Sequence, residues 1–398
     1  MYTLPLTTMA FVEILFYASV AGIVHTYFVF PLVMAFIAVR RRQRKHRQRS
    51  TESAVPAVTI LIAAYNEQAN IRDRIENIAL QNYPHEKLRV IVGSDGSTDA
   101  TNNILSDMVD HYEWLSVELY GENRGKVYVL NDLLQHVRTP IVIYTDADTL
   151  FSTDSLLHLV EPFSSPSVGA VAGMRHVLVR GSVTATSEQE ESYLSIDNII
   201  REGESALGCV IGAHGSLYAI RTELVEPIPT AIAYTDDFYV SMLPFEKGFE
   251  VVQAEGAHSY AETARDTASD FRRKTRYAAT IFATCYRFRK QLLSGSFVQS
   301  YCFFSHRVSR WFLPFVLLLC LTSAAMLSSS NPLYSWVLFV QVSFYVLALI
   351  GILIPRLSRV SSLFSLSAYF VYSNVALFIG FFRWITGRGS NKWTPERS

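Results

Sequence analysis

Hydrophobic residues divide the 398-residue chain into a mixed central region and two strongly apolar flanking regions. No Asp, Glu, Lys or Arg occurs in residues 311–355 or 360–382. About 20 apolar helical residues cross the hydrocarbon core of a membrane, and helices satisfy their own backbone groups there. We therefore predict four membrane-spanning helices, in the tracts 11–39, 311–329, 332–355 and 361–383.

Basic residues predict the orientation of these spans. A basic run at residues 40–49 directly follows the first tract, and such runs favour the cytoplasmic side. We therefore expect an integral protein of the cell membrane whose central region is cytoplasmic. Four spans would place the basic tail, with Arg383 and Arg397, outside. Either the last tract is re-entrant or the tail departs from the charge bias.

The central region alternates short apolar runs with amphipathic segments. The predicted strands are 58–63, 88–92, 117–120 and 141–145, and the predicted helices are 71–80, 101–109 and 127–137. Strands that alternate with helices predict an α/β fold, with a largely parallel sheet covered on both faces. In such sheets, ligands bind beyond the carboxyl ends of the strands.

Four regions follow from these patterns. They are a first span with its basic segment (1–50), an α/β catalytic domain (51–290), an interfacial helix with about three spans (291–386) and a polar tail (387–398). The formal net charge is zero, so composition gives no sign of a nucleic-acid partner, and we expect none. The four scattered cysteines suit reduced thiols in the cytoplasm better than a disulfide framework.

Polar clusters follow three of the predicted strands, at residues 64–67, 94–99 and 146–148. One such cluster is commonly only a turn with a helix cap. Three clusters at successive strand ends point to one crevice. They make a ligand site the better interpretation.

Asp146 and Asp148 stand one residue apart after a strand. Alternation along the strand turns both carboxylates to the same side, and local groups are not expected to neutralise both. Mg²⁺ or Mn²⁺ with phosphate oxygens would satisfy them, while a solvated acidic turn is the alternative. Lys126, near a helix start, could meet a diphosphate; a surface lysine is the plainer interpretation.

The ordered motifs resemble the family 2 glycosyltransferases of the GT-A (Rossmann-like) fold over residues 58–277. The motifs are Ala64-Tyr65-Asn66-Glu67, Asp95-Gly96-Ser97-Thr98-Asp99, Asn123-Arg124-Gly125-Lys126, Asp146-Ala147-Asp148, Gly212-Ala213-His214-Gly215-Ser216, Thr235-Asp236-Asp237 and Arg273-Lys274-Thr275-Arg276-Tyr277. With the flanking spans, the chain resembles the membrane synthases of chitin oligomers, hyaluronan, poly-N-acetylglucosamine and cellulose.

The resemblance implies an inverting transferase that moves a sugar from a UDP-sugar onto a growing β-linked polysaccharide or oligosaccharide, with processive extension and coupled export as one form of this activity. Single transfer to a polyprenyl or other lipid-linked acceptor is the alternative, and membrane lipid, an oligomer or a partner subunit are further possible partners. The implied donor-site residues are Tyr65, Glu67, Asp95, Lys126, Asp146, Arg273 and Tyr277. The implied metal ligands are Asp146 and Asp148, and the catalytic residues are Asp237, as base, and Arg276.

Other polar and aromatic residues receive plainer interpretations. Residues 188–191 are predicted as a solvated helix face. Three tryptophans near span ends are predicted as interface anchors: Trp311, Trp336 and Trp384. His214 is expected to be structural or to face the acceptor, and the resemblance places residues 212–216 beside the acceptor site.

Overall fold

The computed structural model describes residues 6–45, 55–178, 185–262, 267–354, 357 and 361–388. Part of the basic run after the first span, and the tail from residue 389, lie outside the described residues. In the described residues an eight-stranded sheet stands beside a group of long apolar helices.

The sheet has the strand order β3-β2-β1-β4-β7-β6-β8-β5. Its strands are β1 Val58–Ala64, β2 Leu88–Asp95, β3 Leu115–Tyr120, β4 Ile141–Asp146, β5 Leu150–Phe151, β6 Val168–Leu178, β7 Tyr218–Arg221 and β8 Glu250–Glu262. Strands β1 to β4 pair in parallel, as predicted. Strand β7 then pairs antiparallel with both β4 and β6.

The helices of the central region are α3 Ile71–Ala79, α4 Thr101–Val109, α5 Lys126–Leu134, α6 Ser155–Val160, α7 Ala185–Ala206, α8 Asp236–Glu246 and α9 Thr267–Arg287. The predicted helices at 71–80, 101–109 and 127–137 correspond to α3, α4 and α5. The second half of the sheet has no counterpart among the predicted elements. Register shifts in the β6–β8 pairing interrupt the regular alternation there, so a period-two pattern is weak.

Strand β1 is buried along its whole length and separates two hydrophobic cores. Its residues Ile60 and Ile62 pack on the side of α3, α4 and α6, whereas Leu61 and Ala63 pack on the side of α5 and α8. Residues on successive positions of a strand point to opposite faces. The sheet is therefore covered on both sides, as the continuous apolar pattern of β1 predicts.

The flanking helices are α1 Leu6–Val24, α2 Phe30–Lys45, α10 Arg289–Ser294, α11 Phe297–Phe303, α12 Ser309–Trp311, α13 Leu313–Leu327, α14 Pro332–Leu353 and α15 Ser362–Ile385. Among the described residues, three stretches are long and apolar enough to cross a membrane: Thr7–Gln43, Pro332–Leu353 and Ser362–Ile385. The pair Phe297–Trp311 and Leu313–Leu327, bent by 65°, would make a fourth. The bend lies at Phe312, between the segment Phe297–Trp311 and the apolar helix α13.

Helix α7 of the central region packs closely on α2, which continues the first span. A Cβ atom at Gly203 would lie 2.4 Å from the carbonyl oxygen of Met34, so only glycine permits this approach. Farther along α2, Arg42 forms an ion pair with the buried carboxylate of Glu202. The first basic residues after the span therefore bind protein as well as facing solvent.

Helix α9 packs beside α15 along most of its length. Asp270 accepts a hydrogen bond from Tyr372, Ala278 lies against Gly380, and Phe282 stacks on Trp384. The contacts advance in the same order along both helices, so the two run in the same direction. Trp384 thus packs on a helix of the central region and is not only a lipid anchor.

Two of the plainer interpretations are wrong. Glu190 is buried, because Arg175 and Arg273 both bind its carboxylate, so residues 188–191 are not simply a solvated face. Trp311 is buried against Phe238, with ring centroids 5.4 Å apart. Both contacts join segments far apart in sequence, which local patterns do not report.

The contact between α2 and α7 gives a stability prediction. We expect Gly203→Ala to destabilise the detergent-purified protein by about 1–3 kcal/mol, because the added methyl group collides with backbone and overpacks the crossing. The unfolding midpoint measured by differential scanning fluorimetry tests this. Gly121→Ala is the matched control, since a Cβ there meets no atom within 4 Å. Equal midpoints for the two variants would contradict the prediction.

Candidate active site

The turns after β1 and β2 are bonded to each other through Asn66, which has a positive φ of 55°. Asn66 accepts a hydrogen bond from the backbone N–H of Thr98 at 2.8 Å, and its own N–H donates to Ser97 Oγ at 3.1 Å. The adjacent Glu67 is buried, and its carboxylate accepts from Asn70 at the start of α3. Tyr65 lies half-buried at the same edge of the sheet.

Asp95, at the end of β2, holds the loop that precedes α5. Its carboxylate is fully buried and accepts from the backbone N–H groups of Arg124 at 2.9 Å and Gly125 at 2.8 Å. Gly96 permits the close approach, because a Cβ there would lie 2.5 Å from the backbone of Glu122. Asp95 therefore contacts protein backbone, whereas the resemblance implied contact with the nucleotide.

Lys126, the first residue of α5, links two acidic motifs. Its ammonium group lies 2.7 Å from Asp146 at the end of β4 and 2.8 Å from Asp236 at the start of α8. These acidic groups keep the pKa of Lys126 well above its usual value, although burial acts in the opposite direction. The group therefore remains a cation, in the position predicted for contact with a diphosphate.

The expectation that local groups leave the acidic pair uncompensated is wrong in part. Lys126 pairs with Asp146, and a second cation, Arg74, is fully buried on α3 and electrostatically coupled to Asp148 and Asp146. Arg74 donates to Thr145 at 3.1 Å and lies 3.8 Å from the ring centroid of Phe151. Burial lowers its pKa to about 9. Each aspartate therefore has a cation nearby that offsets part of its negative charge.

Asp237 faces Asp146 across Gly215. A Cβ at Gly215 would lie 3.3 Å from a carboxylate oxygen of each, so glycine leaves the space between them open. Burial and the neighbouring Asp236 raise the pKa of Asp237 to about 6, while Lys126 opposes the shift. A carboxylate with this pKa is suited to accepting a proton near neutral pH.

Helix α9 is fastened beside Asp237 by two threonines. Thr280 Oγ1 lies 2.8 Å from Thr235 Oγ1, and Thr284 Oγ1 accepts from the backbone N–H of Thr235 at 3.0 Å. Arg276 precedes Thr280 by one helical turn and so lies on the same face of α9. The structure thus brings Arg276 to the side of the helix that meets the start of α8.

The other predicted residues of α9 are placed differently. Arg273 forms ion pairs with Asp270 at 2.8 Å and with Glu190 of α7 at 3.4 Å, and so joins two helices. Tyr277 is 43% exposed and therefore available to a sugar or to lipid. Arg273 is accordingly a weaker candidate for direct contact with the donor than Arg276.

Asp146 and Asp148 remain the candidate metal ligands, both half-buried at the end of β4. Within the described ranges, no group of three or more His, Cys, Asp or Glu side chains could hold a metal ion. Mg²⁺ and related ions commonly take one or two carboxylates and complete their shell with water and substrate phosphates. The two carboxylates fit such an ion when a phosphate ligand is present.

A family model described as "Glycosyltransferase like family 2" matches residues 56–280, more than half of the chain. The chain belongs to this family. The resemblance drawn from the ordered motifs is therefore confirmed. The matched residues contain every strand of the sheet and the four aspartates of the site, called the acidic cluster below: Asp146, Asp148, Asp236 and Asp237.

Two curated relatives of this family 2 chain carry different activities in their names. One is a beta-monoglucosyldiacylglycerol synthase from Nostoc sp., 29% identical over 46% of this chain and 39% of the relative. The other is a poly-beta-1,6-N-acetyl-D-glucosamine synthase from Staphylococcus epidermidis, 28% identical over 44% of this chain and 42% of the relative. The chain spans about two fifths of the length of these relatives.

A solved structure agrees with the fold of this family 2 chain over nearly its whole length. A mannosyltransferase from Pyrobaculum calidifontis, in complex with GDP-mannose and Mn²⁺, superposes with a TM-score of 0.66 and 21% identity. The match covers 94% of this chain and 99% of the mannosyltransferase. It confirms the predicted GT-A fold.

Three residues of the site were not among the predicted site residues. Asp236 forms an ion pair with Lys126, Gly215 lies between two carboxylates, and Arg74 donates a hydrogen bond to Thr145 of β4. A signal for Arg74 exists in the sequence, because it falls on the apolar stripe of α3 beside Ile71, Ile75 and Ile78, where a charge is unexpected. Gly215 belongs to the motif that the resemblance placed beside the acceptor site, but its position between two carboxylates had no signal in the sequence.

Asp95 yields a prediction that does not depend on substrate. Asp95→Asn leaves one acceptor oxygen for two backbone N–H groups, so we expect amide exchange in residues 121–126 to accelerate about tenfold, the effect of losing one hydrogen bond to a charged group. Hydrogen–deuterium exchange with mass spectrometry measures this. Asp110→Asn, at an exposed position, is the control. Unchanged exchange in the Asp95 variant would refute the loop-holding role.

Proposed function

We propose that the protein transfers a sugar, with inversion, from a UDP-sugar to an acceptor at the membrane, and that it extends a β-linked glycan. The observation that supports this best is the arrangement around Gly215. The cationic Lys126 and the acidic Asp146 lie on one side, and Asp237, with its raised pKa, lies on the other. One side suits a nucleotide diphosphate and the other suits an attacking hydroxyl.

Asp237 is the proposed general base. An acceptor hydroxyl is a weak nucleophile, so Asp237 accepts its proton while the oxygen attacks the anomeric carbon of the donor. The bond to the diphosphate breaks on the opposite face, and a single displacement inverts the anomeric centre. Holding donor and acceptor in line supplies much of the acceleration.

The leaving diphosphate gains negative charge, and the proposed donor side is built to accept it. Lys126 and Arg276 stabilise that charge electrostatically. A divalent ion such as Mg²⁺ or Mn²⁺, held by Asp146 and Asp148, would act as a Lewis acid towards the phosphate oxygens when bound. Tyr65 and Glu67 line the proposed nucleotide side, while Asp95 acts indirectly by holding the loop before Lys126.

The acceptor distinguishes the two candidate activities. Extension of a glycan is analogous to the named activity of the staphylococcal relative, and transfer to a lipid is analogous to that of the Nostoc relative. The second candidate is favoured by the contact of α9 with α15, which sets the helix of Arg276 and the exposed Tyr277 against the apolar flank of the protein. A lipid acceptor could reach the site from that flank.

Purified protein in lipid nanodiscs, incubated with Mn²⁺ and radiolabelled UDP-N-acetylglucosamine, UDP-glucose or GDP-mannose, tests the proposal. Labelled product that stays at the origin of a chromatogram and yields a ladder on partial hydrolysis supports glycan synthesis. Labelled product in the chloroform phase, carrying one sugar, supports lipid transfer. Absence of nucleotide release with every donor, lipid and oligosaccharide would refute both activities.

The role of Asp237 can be separated from donor binding. We expect Asp237→Asn to lower the transfer rate at least about 100-fold, because a neutral amide cannot accept the proton, while leaving UDP affinity nearly unchanged. Steady-state kinetics and calorimetric titration with UDP measure the two effects. Glu223→Gln, at an exposed position, should behave as wild type. Loss of UDP binding by well-folded Asp237→Asn would contradict the assignment.

The raised pKa of Asp237 predicts the acid side of the pH–rate profile. The base acts only when ionised, so kcat/KM should fall as the pH decreases through about 6, by tenfold per unit below it. Measurement of kcat/KM between about pH 5 and pH 8, in buffers of constant ionic strength, checks whether kcat/KM falls in this way. A profile that stays level to pH 5 would require another base.

We also propose that the catalytic domain is cytoplasmic at the cell membrane and that α15 does not cross the bilayer. Helix α15 runs alongside α9. Arg287 at the end of α9 forms an ion pair with Glu246 of α8 in the central region. Both ends of α15 then lie on the side of the catalytic domain. Three crossings, by α1–α2, α13 and α14, leave Arg383 on the cytoplasmic side, in accord with the charge bias.

Cysteine accessibility in intact cells tests this topology. The four native cysteines are buried, so new cysteines at the exposed positions Thr386, Ser329 and Glu223 report their own surroundings. A membrane-impermeant maleimide should label Ser329→Cys only, while Thr386→Cys and Glu223→Cys react after permeabilisation. Labelling of Thr386→Cys in intact cells would show that α15 crosses the membrane.

A further inference from the structure

A buried polar network joins α7 to the segment before the 65° bend, away from the acidic cluster. Asp197 of α7 is its centre and is fully buried. Its carboxylate lies 2.6 Å from Arg201 Nε, 2.9 Å from His306 Nε2 and 3.2 Å from His214 Nε2. A buried carboxylate requires such partners, but replacing buried ion pairs by apolar packing is often neutral or stabilising. Stability alone therefore gives no reason for the network.

The network holds the loop at residues 211–215 by its backbone as well as by His214. Arg201 donates to the carbonyl oxygen of Gly212, and Arg307 Nε donates to the carbonyl oxygen of Ile211 at 3.0 Å. Gly212 has a positive φ of 73°, and a Cβ there would collide with the ring of Phe238. The loop is thus fixed from two sides, and it ends at the glycine between Asp146 and Asp237.

Hydrogen-bond donors and acceptors in the network can be assigned. Burial lowers the pKa of His214 to about 3, so its neutral ring donates through Nε2 to Asp197. Burial would raise the pKa of Asp197, but Arg201 and His306 keep it well below its usual value. Burial raises the pKa of Glu204, whose carboxyl group lies 2.8 Å from the second nitrogen of His306. His306 therefore bridges two acidic groups of α7.

The network reaches the first membrane span through two π-helical turns, His25–Val29 and Phe304–Val308. His25 Nε2 lies 2.9 Å from Ser305 Oγ, next to His306 in the second turn. Such turns occur frequently at functional sites. Here the second turn aims neighbouring side chains at the first span and at α7. Polar contacts therefore run from the span to the loop beside Asp237.

We propose that His306, Asp197 and His214 act as one positioning unit, which holds residues 212–216 on the acceptor side of Asp237 and ties their placement to the first membrane span. This inference rests on the proposed function and deepens it. Donor binding depends on Lys126, Asp146 and Asp148 at the other side of Gly215. The unit therefore governs use of the acceptor more than affinity for the donor.

Matched substitutions test the unit in nanodisc-reconstituted protein. His214→Leu loses the hydrogen bond to Asp197, whereas His214→Gln retains a donor. We expect His214→Leu and His306→Gln each to raise the acceptor KM about tenfold or more, the effect of losing a charge-assisted hydrogen bond. The donor KM and the rate of nucleotide release without acceptor should each change by less than about twofold, because the lost hydrogen bond does not lie on the donor side. His111→Asn, an exposed position outside the network, is the control.

Two further readouts identify a shared role. His214→Leu combined with His306→Gln should raise the acceptor KM no more than either change alone, because members of one unit are not additive. His214→Gln should recover most of the wild-type value. Equal increases in donor and acceptor KM, or independent effects that multiply, would overturn the proposal.

Hydrogen–deuterium exchange of residues 209–217 in the same variants tests the positioning unit without a measurement of activity. Faster exchange in this loop alone supports the unit, and unchanged exchange overturns it. The side chain of His214 is less deeply buried than that of His306, so its substitution keeps the test available if His306→Gln does not fold. A wild-type protein that transfers no sugar would refute the proposed function, while the exchange result would still judge the positioning unit.

Discussion

The ammonium group of Lys126, held between Asp146 and Asp236, is the interaction on which the site depends. It joins the start of α5, the end of β4 and the start of α8, three segments that meet only when the sheet is assembled. Asp95 supports this interaction by holding the loop before Lys126, through the backbone N–H groups of Arg124 and Gly125. The two aspartates and Lys126 share one half-buried place and compensate each other's charge, because burying any one of these charges without a partner would be costly.

Glycine separates the two functional sides of this centre. At Gly215 the missing side chain leaves room beside the carboxylates of both Asp146 and Asp237, so the charged groups proposed to hold a diphosphate lie close to a carboxylate of raised pKa. Asp237 owes its pKa to burial and to Asp236. The same Asp236 keeps Lys126 charged. Asp236 thus raises the pKa on both sides of the site, which favours the charged form of Lys126 and the neutral form of Asp237.

The membrane helices are part of the catalytic architecture rather than a separate anchor. Helix α2 meets α7 at Gly203, and α15 meets α9 at Gly380; both contacts need a residue without a side chain. Helix α7 carries Asp197 and α9 carries Arg276, so each membrane contact lies on a helix that also reaches the site. Movement of α2 would therefore reach the acceptor side through α7, and movement of α15 would reach the donor side through α9.

Sequence patterns predicted the parallel half of the sheet and the polar residues at its strand ends, because both depend on local signals, whereas Asp237 was singled out only through the resemblance to the family. Buried runs define β1 to β4, and polar residues follow their ends. Contacts between distant segments gave no such signal: Glu190 is buried by Arg273 of α9, and Trp311 by Phe238 of α8. The placement of Arg74 beneath β4 likewise requires the assembled fold, although its position on the apolar stripe of α3 marks it as unusual.

The acidic cluster is proposed to bind a nucleotide diphosphate with the help of a divalent ion. Calorimetric titration of UDP into the purified protein, with Mn²⁺ and then with EDTA, tests this proposal. We expect binding that requires Mn²⁺ and is lost in Asp148→Asn, while Asp110→Asn binds as wild type. Equal UDP affinity with EDTA, or in Asp148→Asn, would show that the cluster does not bind the nucleotide in this way.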